Sequence, residues 1–178
     1  MRYLALSAII MSSALLYSCS KKDKNSNGST DPFVCDIVSA SFPAADSARV
    51  FIPNAFSPNG DGLNDRYRPF FQRVQSVEWS VYDENNNQLF TTTDSMASWA
   101  PFANFDGGIK LYHYKVKAVS KNGHTYGKCG TFCTFSCIPS GYNGVDTLVF
   151  PDQYDQNEPE GYLMPVSQEE SATFFPCQ

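Results

Sequence analysis

The chain has 178 residues, and its 18 acidic and 13 basic side chains give a formal net charge of −5. This length suits one domain with attached segments rather than two full domains. The acidic balance argues against a nucleic-acid partner and against electrostatic docking to anionic lipid head groups. Aromatic residues make up 15% of the chain, and together with 11 prolines and 11 glycines they indicate short strands and turns.

The N-terminal 18 residues have the pattern of a cleavable secretion signal. Arg2 is the only charged side chain before an apolar stretch from Leu4 to Leu16, which is too short to span a bilayer. The following Leu16-Tyr17-Ser18-Cys19 resembles the lipobox of bacterial lipoproteins. That resemblance implies cleavage after Ser18, lipidation of Cys19 and a location on the outer membrane, with the cell surface as the expected side. An ordinary signal peptide with an incidental cysteine is the alternative.

Residues 19–32 are expected to form a disordered tether, because Ser20 to Asp31 contains no apolar side chain. The folded domain is assigned to residues 33–137. Its first strand-like run, Arg49 to Phe56, breaks at Pro53.

Three further segments alternate between apolar and polar residues. Val74 to Tyr82 places Val77, Trp79 and Val81 on one face, and Gln88 to Thr93 follows as the returning strand of a hairpin. Ile109 to Val119 also alternates and puts His113, Lys115 and Lys117 on its polar face. Asn122-Gly123 marks a tight turn before a strand running toward Phe135. This spacing predicts an all-β fold, an antiparallel β-sandwich, with no helix after the signal.

The C-terminal segment, residues 138–178, is acidic and contains no Lys or Arg. It nevertheless keeps apolar residues that a disordered tail would not need. We therefore expect an appended hairpin or wrapping loop. The apolar residues are Leu148, Val149, Phe150, Phe174 and Phe175.

Five cysteines follow Cys19, and three of them are spaced by four residues. On one continuous strand, neighbours in this set would lie roughly 13 Å apart, beyond disulfide reach. We therefore expect the two outlying cysteines to pair with two of the three, and the odd count leaves one thiol free or paired with another molecule. Metal ligation is the alternative, but the spacing fits neither zinc nor iron–sulfur sites. The five are Cys35, Cys129, Cys133, Cys137 and Cys177.

One segment is specific enough to indicate a family. Ile52 to Asp65, IPNAFSPNGDGLND, closely resembles the opening of the gliding-motility-associated C-terminal domain of Bacteroidetes surface proteins. The similarity implies an immunoglobulin-like β-sandwich outside the cell, with a structural, adhesion or motility- and secretion-associated role. In many members of that family the domain directs export by the type IX secretion system from the carboxyl end of the chain. Here residues 138–178 follow the domain, so a role as type IX secretion cargo is the alternative. Further matching positions are Trp79–Tyr82, Leu89-Phe90, Trp99, Phe105–Gly107, Leu111–Tyr114 and Asn122-Gly123.

The loop within this segment has two interpretations. Asn59, Asp61, Asn64 and Asp65 provide the side chains of consecutive tight turns, which need no ligand. The same side-chain oxygens are the kind that coordinate calcium, which is the one cofactor that the sequence suggests. An EF-hand register fails, since it would place Arg68 where a carboxylate is required.

Catalytic motifs are not found, so an enzyme is not expected. His113 and His124 are the only histidines, and no nucleophile elbow or phosphate loop occurs. Loop aromatics Trp99, Phe102 and Phe105 suggest a carbohydrate- or protein-binding surface, with core packing as the alternative. The expected partners are the membrane, through the lipid, and an outer-membrane protein complex or a surface glycan.

Overall fold

A computed structural model describes residues 33–101, 109–134, 148–159 and 161. In these ranges the chain is all-β, as expected, with one short 3-10 helix at Pro151–Gln153 and no α-helix. The strands are β1 (Arg49–Phe51), β2 (Ala55–Phe56), β3 (Phe70–Gln72), β4 (Val74–Tyr82), β5 (Gln88–Thr92), β6 (Lys110–Ser120) and β7 (Thr125–Thr134).

The strands form two sheets. β1 and β3 make a two-stranded antiparallel sheet, and the other five are ordered β2-β7-β6-β4-β5. The two predicted hairpins, β4–β5 and β6–β7, are confirmed as antiparallel neighbours. Gly123 has φ 84°, the left-handed conformation that the tight turn between β6 and β7 requires. The long strands therefore follow their local sequence pattern.

The break at Pro53 separates two strands that belong to different sheets. β1 pairs with β3, whereas β2 runs parallel to β7, with Ala55 opposite Cys133. Proline provides no N–H for a strand ladder, and the Pro53 carbonyl instead accepts a hydrogen bond from the Tyr67 hydroxyl at 3.1 Å. The run Arg49 to Phe56 thus connects the two sheets.

An aromatic core lies on one face of the five-stranded sheet, called here the inner face. Trp79 of β4 and Phe132 of β7 are fully buried, and the Tyr67 ring stacks on Phe132 with centroids 3.6 Å apart. Val50 and Phe71 of the small sheet pack against this cluster. The core residues are Phe56, Tyr67, Trp79, Val81, Trp99, Tyr112, Tyr114, Val116 and Phe132.

A second apolar cluster joins part of the C-terminal segment to the domain. Leu148 and Phe150 are buried with Ala55 and Cys133, and Leu111 packs against them. The backbone N–H of Val149 donates to the side-chain oxygen of Asn54 at 2.7 Å. Residues 148–150 are therefore part of the folded domain.

Candidate functional site

Residues 33–46, called here the N-terminal strap, begin on the outer face of the five-stranded sheet, opposite the aromatic core, and continue along the edge of β7, where Ala40 pairs with Gly127. A disulfide joins Cys35 of the strap to Cys129 of β7. The prediction that Cys35 pairs with one of the three closely spaced cysteines is confirmed. Cys129 is opposite Lys115 in the ladder, so both side chains belong to the outer face. The strap is thus covalently attached to β7, which lies between β2 and β6 in the sheet.

Phe33 covers the outer face at the start of the strap. Its ring stacks on His113 with centroids 4.3 Å apart and an angle of 6° between the planes, and it lies 5.7 Å from the Tyr82 ring. His113 is only 1% exposed. The polar face that the alternation gave His113 is therefore covered by the strap at this position rather than exposed to solvent.

Lys115 is held between the strap and the sheet. Its ammonium lies 2.9 Å from the Asp36 carboxylate and 4.8 Å from the centre of the Tyr82 ring. The Lys115 side chain is only 15% exposed, so the carboxylate and the ring face compensate for lost hydration. The hydrogen bond from Lys115 lowers the pKa of Asp36. These contacts add an ionic attachment beside the disulfide.

The strap continues toward the β6–β7 turn. Ala40 and Gly127 exchange two backbone hydrogen bonds of 3.0 Å, and an added Cβ at Gly127 would clash with the carbonyl oxygen of Val38. Farther along, Asp46 Oδ2 lies 2.7 Å from His124 Nδ1. Hydrogen bonds from the Ser120 hydroxyl, the Ala48 N–H and His124 lower the pKa of Asp46 to about 2. The strap is thus attached at both ends.

The direction of the strap is opposite to that of β7. Its contacts with β7 pass from Cys129 to Gly127 and end at His124, just before the strand. Phe33 therefore marks one end of the sheet, and Asp46 lies at the other end, beside the β6–β7 turn.

The Asn59–Asp65 loop satisfies its own backbone groups. Asp65 accepts hydrogen bonds from the N–H groups of Gly60 and Gly62 at 2.7 and 2.9 Å. Asp61 accepts from the Leu63 N–H at 2.8 Å, and Gly60 and Gly62 have positive φ angles. This is the geometry of consecutive Asx turns. The carboxylate oxygens of Asp61 and Asp65 thus accept hydrogen bonds from the loop's own backbone, as the turn interpretation expects, and the calcium interpretation stays a prediction.

Asn64 links this loop to the C-terminal segment. It is 9% exposed, and its side-chain oxygen accepts a hydrogen bond from the Asp152 N–H at 2.8 Å. Sequence reasoning placed Asn64 among possible calcium ligands. The structure shows that this oxygen is already used in a contact between segments 88 residues apart.

A groove lies at the end of the domain beside the β6–β7 turn. It encloses about 370 Å³ between the second half of the strap, β1, β3 and three residues of the C-terminal segment, Tyr154, Pro159 and Gly161. Tyr154 stacks on Phe70 with centroids 4.2 Å apart and accepts a hydrogen bond from Gln72 at 2.7 Å. The Arg49 guanidinium donates to the carbonyls of Glu158 and Pro159 at 3.3 and 3.1 Å. Sequence reasoning missed this groove, because its walls come from three distant segments.

The other predicted site residues have mixed outcomes. Trp99 is 7% exposed and packs against Phe56 and Tyr112 in the core, so its assignment to a binding surface was wrong. Cys133 is buried and disulfide-bonded, with its partner beyond the described ranges. Cys19, Phe102, Phe105, Cys137 and Cys177 lie outside the residues that the structure describes.

Within the described ranges, no group of three or more His, Cys, Asp or Glu side chains is arranged to hold a metal ion. The same ranges contain no helix with the length and apolar character needed to cross a membrane. His113 and His124 each belong to strap contacts, one stacked on Phe33 and the other bonded to Asp46. Comparison with protein families, with curated proteins and with solved structures finds no match to this chain.

Proposed function

We propose that this chain is a lipid-anchored protein of the outer-membrane surface. It would hold a non-catalytic, immunoglobulin-like β-sandwich outside the cell, in a structural, adhesive or motility- and secretion-associated assembly. The observation that carries the proposal is the strap. A polar tether follows the lipobox-like Cys19, and the chain is then locked to β7 through Cys35 and Cys129. A disulfide between the strap and the sheet suits a domain that is held at the membrane through its N-terminus.

The disulfide also agrees with the proposed compartment. Disulfides persist in oxidising environments such as the periplasm and the cell surface, and are rare in the reducing cytosol. Cys35–Cys129 and the bonded Cys133 therefore support export, which the secretion-signal pattern of residues 1–18 suggests independently.

Two features support the sandwich part of the proposal. The small sheet, through Val50 and Phe71, packs on the aromatic inner face of the large sheet. The segment that resembles the gliding-motility-associated domain, Ile52 to Asp65, crosses from one sheet to the other. The resemblance thus falls on a part of the chain that organises the core.

Metabolic labelling with palmitate tests the anchor. The intact protein should incorporate label, and Cys19→Ala should abolish incorporation. Val34→Ser is the control, because it changes an exposed residue outside the lipobox-like motif, leaves the Cys35–Cys129 disulfide in place and should keep the label. Label retained in Cys19→Ala would contradict the anchor. Protease treatment of intact cells tests the location: digestion indicates the surface, whereas digestion only after permeabilisation indicates the periplasm and overturns that part of the proposal.

Type IX cargo is the alternative route to the surface. Deleting residues 138–178 is a poor test, because Leu148 and Phe150 belong to the second apolar cluster. A sharper test follows surface exposure of the intact protein in cells that lack the type IX translocon. Exposure should persist if the lipid route is used. Its loss would favour the cargo role.

A further inference from the structure

We infer that the groove beside the β6–β7 turn binds a neutral oligosaccharide, an inference that specifies the ligand class for the proposed surface function. The groove lies at the end of the domain opposite Phe33. Phe33 stacks on His113, whereas the groove includes Asp46 and Tyr126 beside the β6–β7 turn. From His113 to Ser120, β6 spans about 23 Å at roughly 3.3 Å per residue. An N-terminally anchored domain would therefore present the groove away from the membrane.

The groove has the volume of a small-ligand site and aromatic walls. A cavity of about 370 Å³ falls within the range of small-ligand sites, roughly 300–1,000 Å³. Its walls include Phe42, Phe51, Phe70, Tyr126 and Tyr154. Aromatic side chains provide flat, rigid apolar surface, which suits the C–H faces of pyranose rings. Phe42, Phe70, Tyr126 and Tyr154 are partly exposed rather than fully buried.

Two planar polar groups line the groove. Gln72 donates through Nε2 to the Tyr154 hydroxyl at 2.7 Å and to the Gln156 carbonyl at 3.4 Å, while its amide oxygen has no partner among the described residues. Arg49 uses one terminal nitrogen for two backbone carbonyls, so its other N–H groups can reach a ligand. The Gln72 oxygen can accept a hydrogen bond from a sugar hydroxyl, and the Arg49 guanidinium can donate paired hydrogen bonds to adjacent hydroxyl oxygens.

Charge separates a neutral saccharide from acidic ligands. The Asp46 carboxylate beside the groove is only 1% exposed and faces hydrogen-bond donors, so it adds little to the field that a ligand meets there. The acidic balance of the whole chain, a formal net charge of −5, is what disfavours an anionic ligand. An anionic polysaccharide or acidic peptide would meet a repulsive field that Arg49 alone offsets only in part. A neutral oligosaccharide, which presents hydroxyl groups instead of charges, does not meet this repulsion.

The test uses the purified full-length lipidated protein in detergent micelles. Immobilised cellohexaose, mannohexaose, maltohexaose and xylohexaose are the neutral probes, with trigalacturonic acid and an acidic decapeptide as comparators. At least one neutral probe should bind, and Gln72→Ala should weaken binding about three- to tenfold, the effect of one or two lost hydrogen bonds. Gln88→Ala is the matched control, because Gln88 also bonds a tyrosine, Tyr82, on the exposed β4–β5 hairpin outside the groove.

Arg49→Lys provides a second variant that keeps the charge but loses the planar fork, and it should weaken binding to a similar extent. Equal thermal melting of all variants would show that folding is intact. Failure of every neutral probe, preference for an acidic comparator, or equal losses in Gln72→Ala and Gln88→Ala would each overturn the inference. Because binding is measured on isolated protein, such a failure is distinct from failure of palmitate labelling or surface exposure.

Discussion

Removing the Cys35–Cys129 disulfide should destabilise the domain strongly. The perturbation is the double variant Cys35→Ser/Cys129→Ser, which leaves no unpaired thiol at either position. The two cysteines are separated by 94 residues. In the chain-entropy description, opening a loop of this size costs about 4.7 kcal/mol of stability, near the upper end of the 2–5 kcal/mol typical for native disulfides.

Urea unfolding followed by tryptophan fluorescence measures this effect, because Trp79 and Trp99 are both buried in the core. With a denaturant slope of about 2 kcal/mol per molar, the midpoint should fall by roughly 2 M. Val34→Ser is the matched control. Val34 is also in the strap but 63% exposed, so its substitution should leave the midpoint nearly unchanged.

Hydrogen exchange then shows whether the strap detaches before the domain unfolds. The Ala40 and Gly127 amides bond each other's carbonyls, and their protection reports strap closure. Both amides should exchange faster in the double variant at low denaturant. An unchanged urea midpoint together with unchanged protection would refute the reasoning, because it would mean that packing around Phe33 and Lys115 holds the strap without the covalent link.

Four further predictions concern other parts of the domain. The folded-state pKa of Asp46 is about 2, below its ordinary value of 3.8, so the ionised carboxylate stabilises the fold above pH 3.8, and this stabilisation is lost as the pH falls through about 2. In Asp46→Asn, the free energy of unfolding should therefore depend less on pH in that window. An acid titration with an unchanged profile would contradict this prediction. Asp65→Ala should cost about 1–3 kcal/mol in urea unfolding through the lost Gly60 and Gly62 bonds. Added calcium should leave the wild-type melting temperature unchanged, whereas a rise abolished by Asp61→Ala would establish a cation site. Phe150→Ala should cost about 3–5 kcal/mol, measured by urea unfolding, because this side chain is 1% exposed, while Leu89→Ala at a 44% exposed position should have little effect.

The long strands and their turns were predictable from sequence. Val77, Trp79 and Val81 alternate with polar residues, and the structure places all three on the inner face of the sheet. The Asn122-Gly123 turn was predictable for a similar reason, because few residue pairs adopt its backbone angles readily. These features depend on neighbours in sequence, so their pattern is visible without the fold.

The surroundings of each face were not predictable in the same way. His113 lies between two tyrosines in sequence, and the alternation places it correctly on the outer face. The pattern does not show that Phe33, 80 residues earlier, stacks on its ring. The parallel pairing of β2 with β7 escaped prediction too, because a two-residue strand has no periodicity of its own. Alternation identifies the residues that share a face but not the segment that covers it.

The groove is the strongest example of this difference. Arg49 and Gln72 are directly opposite in the β1–β3 pair, whereas Tyr154 comes from the segment after β7. None of the three belongs to a short motif, and each alone is an ordinary polar or aromatic surface residue. Only the tertiary fold shows that two planar polar groups and an aromatic wall meet.

The strap covers part of the outer face and also lines the groove. Cys129 and Cys133 are four residues apart on β7, so both side chains belong to this face. The strap covers the first through Cys35, and Leu148 and Phe150 cover the second. The segments before and after the strands therefore cover parts of this face, whereas Glu78 and Lys117 on it remain exposed. The strap, the small sheet and Tyr154, Pro159 and Gly161 converge at one end of the domain to form the groove, which is where we expect recognition.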